Sequence, residues 1–125
     1  RADVAVSPLF GGAMSRQRFI YQLTIQCSPQ MEAEFNKWYD EVHIPLVMRG
    51  GMLKAISRYK VTDAIETNVS KYLTVCEFED RAAFEKWLAS DILAEAKADR
   101  EKTMGGKDVV WTSRAFYEPM ARFGV

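Results

Sequence analysis

Histidine is nearly absent from this chain: 125 residues hold one, His43. A single imidazole cannot furnish the sets of ligands that most first-row metal sites need. Neither cysteine stands in a Cys/His ligand spacing, so no metal is expected. Cysteine is scarce as well. Cys27 and Cys76 fall inside apolar, strand-like runs and read as buried free thiols of an intracellular protein rather than as a disulfide. Net charge is missing too, since 17 Lys plus Arg balance 17 Asp plus Glu. That balance gives no electrostatic ground for a nucleic-acid or anionic-membrane partner, and it leaves only weak repulsion against self-association. No apolar run approaches the ~20 residues of a membrane span. The opening Arg1-Ala2-Asp3-Val4 shows no basic stretch followed by a signal-type apolar core. It also starts without methionine, so either a trimmed chain or an artificial junction is expected there. A cytoplasmic location is the expectation. Gly11-Gly12, Gly50-Gly51 and Gly105-Gly106 are turn signals, and none opens a Walker or dinucleotide fingerprint. No G-x-S-x-G elbow surrounds Ser57 or Ser113, which argues against a serine nucleophile. No cofactor is expected.

What the chain does have is a core. Its apolar fraction is 48%, with seven phenylalanines, enough for one folded domain without staples. Residues 1–15, with Pro8, Gly11 and Gly12, lack a period and read as an N-terminal arm. Residues 17–27 alternate: Phe19, Tyr21, Leu23, Ile25 and Cys27 face one way, as in a half-buried strand. Ser28-Pro29 opens a helix, with Ser28 as N-cap. Met31, Phe35, Trp38, Val42 and Leu46 mark its buried stripe. Ile44-Pro45 is expected to break or bend it, because the residue before a proline avoids the α region; a short turn then runs to Gly50-Gly51. Strands are predicted over Met52–Val61 and Tyr72–Phe78, around a polar loop over Thr62–Ser70. Asp80 caps a second helix whose inward stripe is Phe84, Trp87 and Leu88. A further helical segment runs from Ser90-Asp91 to about Thr103, and a last strand covers Val109–Tyr117. The tail is 119–125.

The order is β-α-β-β-α-β, the ferredoxin-like α+β arrangement of a four-stranded antiparallel sheet with helices on one face. The domain is expected over 16–118. The other face, with residues 20, 22 and 24, is left uncovered, and a second copy is its simplest cover. A homodimer is therefore expected.

Histidine titrates near neutrality, which suits proton transfer. On a helical wheel Asn36, Tyr39, Asp40 and His43 lie within about 100° of one another, beside the apolar stripe. Such an edge is where a pocket between helix and sheet opens. The helix C-terminus favours imidazolium, and Asp40 is placed to orient the ring. A plainer reading stands beside this one: a polar cap at a helix end, Trp38 and Tyr39 as core, and Asn36 and Asp40 as solvated groups. On the second strand Arg58 and Tyr59 alternate, so only one faces the pocket. Tyr59 suits an oxyanion and Arg58 a carboxylate. Trp111, Arg114 and Tyr117 on the last strand offer the same choice.

The run Glu34-Phe35-Asn36-Lys37-Trp38-Tyr39-Asp40-Glu41-Val42-His43-Ile44-Pro45, followed by Gly50-Gly51 and a strand containing Arg58-Tyr59, resembles the dimeric α+β barrel superfamily. It is most similar to the EthD-like branch, in which a Trp-Tyr, His and Pro run closes the first helix. The motif covers about 30 residues, and the strand order extends the likeness over roughly 16–118. The superfamily includes cofactor-free monooxygenases, lactone isomerases, decarboxylases and polyketide cyclases. In EthD-like decarboxylases the histidine of that run acts in proton transfer, a role that falls by position on His43.

The expected function is a cofactor-independent lyase or isomerase of decarboxylase or cyclase type, acting on a small aromatic or polyketide-like compound. His43 serves as general acid/base with Tyr39 and Asp40. Asn36, Trp38, Arg58, Tyr59, Trp111 and Tyr117 bind the substrate. The alternatives are a cofactor-free monooxygenase, for which Asn36 and Trp38 speak, and a non-catalytic dimer that binds a small ligand.

Overall fold

The computed structural model describes residues 17–124; the arm expected over 1–15 lies outside them. Among the described residues four strands are present: β1 (Phe19–Cys27), β2 (Leu53–Lys60), β3 (Tyr72–Phe78) and β4 (Val109–Tyr117). They form one antiparallel sheet in the order β2-β3-β1-β4. The helical segments are α1 (Glu32–Trp38), α2 (Ile44–Val47), α3 (Arg81–Leu88) and α4 (Asp91–Met104). They pack on the face that carries Phe19, Leu23, Ile25, Cys76 and Phe78. This is the ferredoxin-like α+β fold. Among the described residues no helix is long and apolar enough to cross a membrane. Cys27 and Cys76 are buried and unpaired.

The first helix does not break at Ile44-Pro45. Ile44 keeps helical backbone angles, φ −62° and ψ −48°. Continuity comes from a π-helical turn over Tyr39–His43, closed by Ile44 N–H donating to the Tyr39 carbonyl five residues back. In a regular helix the Pro45 ring would press on the Glu41 carbonyl. The widened turn relieves that clash, so the local rule against an α-helical residue before proline yields.

A π turn adds one residue to the helix, and every later side chain rotates. Val42, expected inside, is 46% exposed, whereas Val47 is 5% exposed. His43 takes the inward place that regular spacing assigns to Val42. Two smaller expectations also change. Ser28 adopts the extended N-cap backbone but makes no side-chain capping hydrogen bond. Leu88 is 47% exposed at the end of α3 rather than inward, because α3 stops there and Ala89 leaves helical geometry. Asp80 and Ser90 cap α3 and α4 by accepting from the Ala83 and Leu93 amides.

Two β-bulges act in the same way. The β2–β3 register shifts between Leu53 and Ala55, so Leu53, Ile56 and Arg58 share the inward face opposite Phe78, Cys76 and Thr74. The β1–β4 register shifts by one residue at Thr112, so Trp111 faces inward opposite Ile25 and Arg114 inward opposite Leu23. Strict alternation would have placed Tyr59 with Leu53, and Tyr117 with Trp111. A single inserted residue reverses each assignment.

Candidate active site

A cavity of about 230 Å³ lies between the helices and the sheet. Its floor is Leu23, Ile56, Thr74 and Cys76 from the strands. Its walls are Tyr39, His43 and Val47 from the first helix and Trp87 and Leu93 from α3 and α4, with Tyr21 and Trp111 completing them. Leu88, Lys97, Arg100 and Arg114 also line it, and of these Leu88, Lys97 and Arg114 are exposed.

His43 is held by two aromatic rings. Tyr39 stacks on it at 5.2 Å between centroids and 22° between planes; Trp38 lies at 4.8 Å and 34°. Its Nδ1 is buried and makes no hydrogen bond. Burial, helped by the Arg100 guanidinium and opposed by Asp99, pushes the imidazole pKa down to about 4. The ring is thus neutral at pH 7, not the imidazolium expected from the helix terminus. Help from Asp40 does not arrive, because its carboxylate is paired with Arg58 at 2.8 Å.

Tyr39 is buried and exchanges a hydrogen bond with Thr74 Oγ1 at 3.2 Å. Burial raises its phenol pKa, so it stays protonated and can donate. Burial likewise pushes the Cys76 thiol up to about 12, which keeps it uncharged. Tyr21 is raised by burial, with Arg114 pulling the other way. Trp38 gives its indole N–H to Asp99 Oδ2 at 2.9 Å; it supports the histidine ring and does not line the cavity.

Asn36, Asp40 and Arg58 stand together, but in a second cluster on the outer edge of α1. Arg58 donates from Nη1 to Asp40 Oδ1 and from Nη2 to Asn36 Oδ1, both at 2.8 Å. Asn36 donates to the Tyr72 hydroxyl at 3.1 Å, and Tyr72 donates to Glu32 at 2.7 Å. Lys71 pairs with Glu32. The Arg58 guanidinium also lies 4.6 Å from the Tyr39 ring centre, a cation–π contact that backs the stacked rings. These residues act behind the cavity wall rather than inside it.

Tyr59 and Tyr117 lie on the opposite face of the sheet, paired with Leu73 and Ile20. The bulges turned them there. Trp111 does line the cavity, and Arg100 stacks over its ring at 5.2 Å. Sequence reasoning did not select Lys97, Arg100, Thr74 or Cys76 for the site. The alternation of β3 (Thr74 buried between Tyr72 and Cys76) was a usable signal. For Lys97 and Arg100 there was none, since a Lys/Glu-rich helix face reads as solvated.

Residues 18–115 match the family described as a domain of unknown function (DUF4286), and the chain belongs to that family. No curated protein matches it in sequence. Among solved structures it is similar to an ethyl tert-butyl ether d (EthD) family protein from Bacillus halodurans. That pair has 15% identity and a TM-score of 0.61, covering 82% of this chain and 99% of the other. HapK from Hahella chejuensis shares 13% identity at a TM-score of 0.62, over 86% and 97%. A Deinococcus radiodurans protein provisionally described as an antibiotic biosynthesis monooxygenase shares 11% at 0.59, over 86% and 97%. At such identities the likeness shows the fold alone, the ferredoxin-like α+β arrangement that these proteins share.

Proposed function

We propose that this DUF4286-family chain is a cofactor-independent lyase or isomerase that moves protons on a small aromatic or polyketide-like compound, with His43 as the acid/base. The observation that carries this reading is a neutral imidazole, packed against Trp38 and Tyr39, on the wall of a cavity of about 230 Å³. A neutral ring can accept a proton from a carbon or hydroxyl group of the bound compound and return it elsewhere on that compound. Cations at the cavity edge stabilise the negative charge left behind. The volume is below the roughly 300–1,000 Å³ of drug-sized sites, which suits a compound of one ring.

The test is turnover of ring-hydroxylated aromatic acids and short polyketide lactones, followed by absorbance and by exchange of deuterium from solvent. Replacing His43 with Gln should cut turnover about 100-fold or more while binding persists. Binding without turnover in the native protein would reassign the cavity to a ligand carrier. Oxygen uptake during turnover would reassign it to a monooxygenase.

The partner that best fits the open sheet face is a second copy. That face presents Ile20, Leu73 and Val75, half-buried, with Tyr59 and Tyr117, an apolar strip of the kind that marks an interface. Sedimentation should show a dimer, and Val75→Lys should shift it to monomer.

A further inference from the structure

The cavity is charged on one side only. Lys97 and Arg100 reach it from α4 and Arg114 from β4, and among the described residues no Asp or Glu lines it. Among the described residues none of these three cations is in an ion pair. This is unusual for a chain with as many acids as bases, whose other arginines pair readily: Arg49 with Glu95, Arg58 with Asp40 and Arg81 with Glu118. Two of the three cations also have an aromatic neighbour. Arg100 lies over the Trp111 ring at 5.2 Å. Arg114 is set inward by the one-residue bulge at Thr112 and sits beside the Tyr21 phenol. Opposite them the surface is apolar, with Leu23, Ile56 and Trp87. Planar guanidinium groups suit a carboxylate, which they can take in a bidentate pair.

We propose that the cavity takes a one-ring aromatic carboxylate, its ring on the apolar floor and its negative charge against Lys97, Arg100 and Arg114. This rests on reading the cavity as the substrate site, and it narrows the substrate class to organic anions. The ring end then lies toward His43 and Tyr39, the groups that handle the proton.

Calorimetric titration with four probes tests it: benzoate, benzamide, acetate and inorganic phosphate. Benzoate should bind at least tenfold more tightly than benzamide, which has its shape without the charge. It should also bind at least tenfold more tightly than acetate or phosphate, which have the charge without the ring. Arg100→Gln and Arg114→Gln should each weaken benzoate about tenfold or more and leave benzamide unchanged. Lys97→Gln, at an exposed helix position, should weaken benzoate severalfold and leave benzamide unchanged. The proposal is overturned if benzoate and benzamide bind equally, if phosphate matches benzoate, if the arginine variants weaken both aromatic probes alike, or if benzoate does not bind by about 10 mM. Its failure is separable from that of the proton-transfer reading. Benzoate affinity should survive His43→Gln, whereas turnover should not.

Discussion

The layer between sheet and helices has two halves built on different chemistry. One half packs Phe19, Leu53, Phe78, Phe84, Trp87 and Leu93 with no buried charge. The other packs Phe35, Trp38, Tyr39, Tyr72 and Met104, and carries Asn36 and Arg58 along its edge. The first half is a plain apolar core, stabilised by area removed from water. In the second, each ring also holds a polar group in place: Tyr39 and Trp38 hold His43, while Phe35, Tyr39 and Tyr72 hold Arg58. The cavity lies where the halves meet, with Trp87 and Leu93 on one side and Tyr39 and Leu23 on the other. A pocket needs both a rigid wall and a reactive one, and the two halves divide those tasks.

Truncating a ring in each half gives the largest expected effects. Phe78→Ala and Phe35→Ala remove fully buried rings, and each should cost roughly 3–5 kcal/mol in urea unfolding. The consequences differ. Phe35 lies 5.2 Å from the Tyr39 ring and 5.5 Å from the Arg58 guanidinium, so its loss should also shift the His43 ring resonances. Phe78→Ala should leave them unmoved. Equal perturbation by both variants would erase the distinction between the halves.

The second prediction uses pH. His43 is neutral in both states above its unfolded pKa of 6.5, and there it contributes nothing. As pH falls from 6.5 to about 4, only the unfolded chain takes up the proton. Stability is lost across that window and the loss is complete below it, reaching about 3 kcal/mol. The groups that face the ring are Trp38, Tyr39, Asp99 and Arg100. His43→Gln should therefore lose less stability than the native chain between pH 7 and 4.5. Identical losses would mean that the ring is not buried in a cation-lined wall.

A third, smaller effect concerns Arg58. Arg58→Gln removes the partner of Asp40 and Asn36 and the cation over Tyr39, while Asp40, 56% exposed, regains water. The expected cost is about 1–3 kcal/mol. Arg58→Lys should recover little, because an ammonium cannot bridge both oxygens in plane.

Much of this fold was legible in the sequence. The alternation of Tyr72–Phe78 and the Asp80 and Ser90 caps match the observed elements. Legibility failed at three inserted residues: the π turn over Tyr39–His43, the β2 bulge near Lys54 and the β4 bulge at Thr112. Each resets a periodicity, so Val42, Tyr59 and Tyr117 turn out while Val47, Arg58 and Arg114 turn in. Pro45 signals a disturbance of the helix without saying that a π turn will absorb it, and no residue pattern marks the two bulges. Lys97 and Arg100 escaped for a different reason. Their helix face reads as solvated, and only the position of β4 turns one side of it into a cavity wall.

The smallest expected effect tests the insertion that places His43. Regular helical spacing from Phe35 runs to Val42 and would bury its isopropyl group. Val42→Ala would then cost roughly 1.5–2.5 kcal/mol. With the π turn, Val42 points to water, and Val42→Ala should fall within about 0.5 kcal/mol of the native chain. Val47→Ala should carry the larger cost, since Val47 packs with Phe78 and Trp87 in the apolar half. The turn thus passes one helix from the aromatic half, through His43, to the apolar half. If the two valines reversed their costs, the helix would be regular, His43 would leave the cavity wall, and the two halves would meet without a reactive group between them.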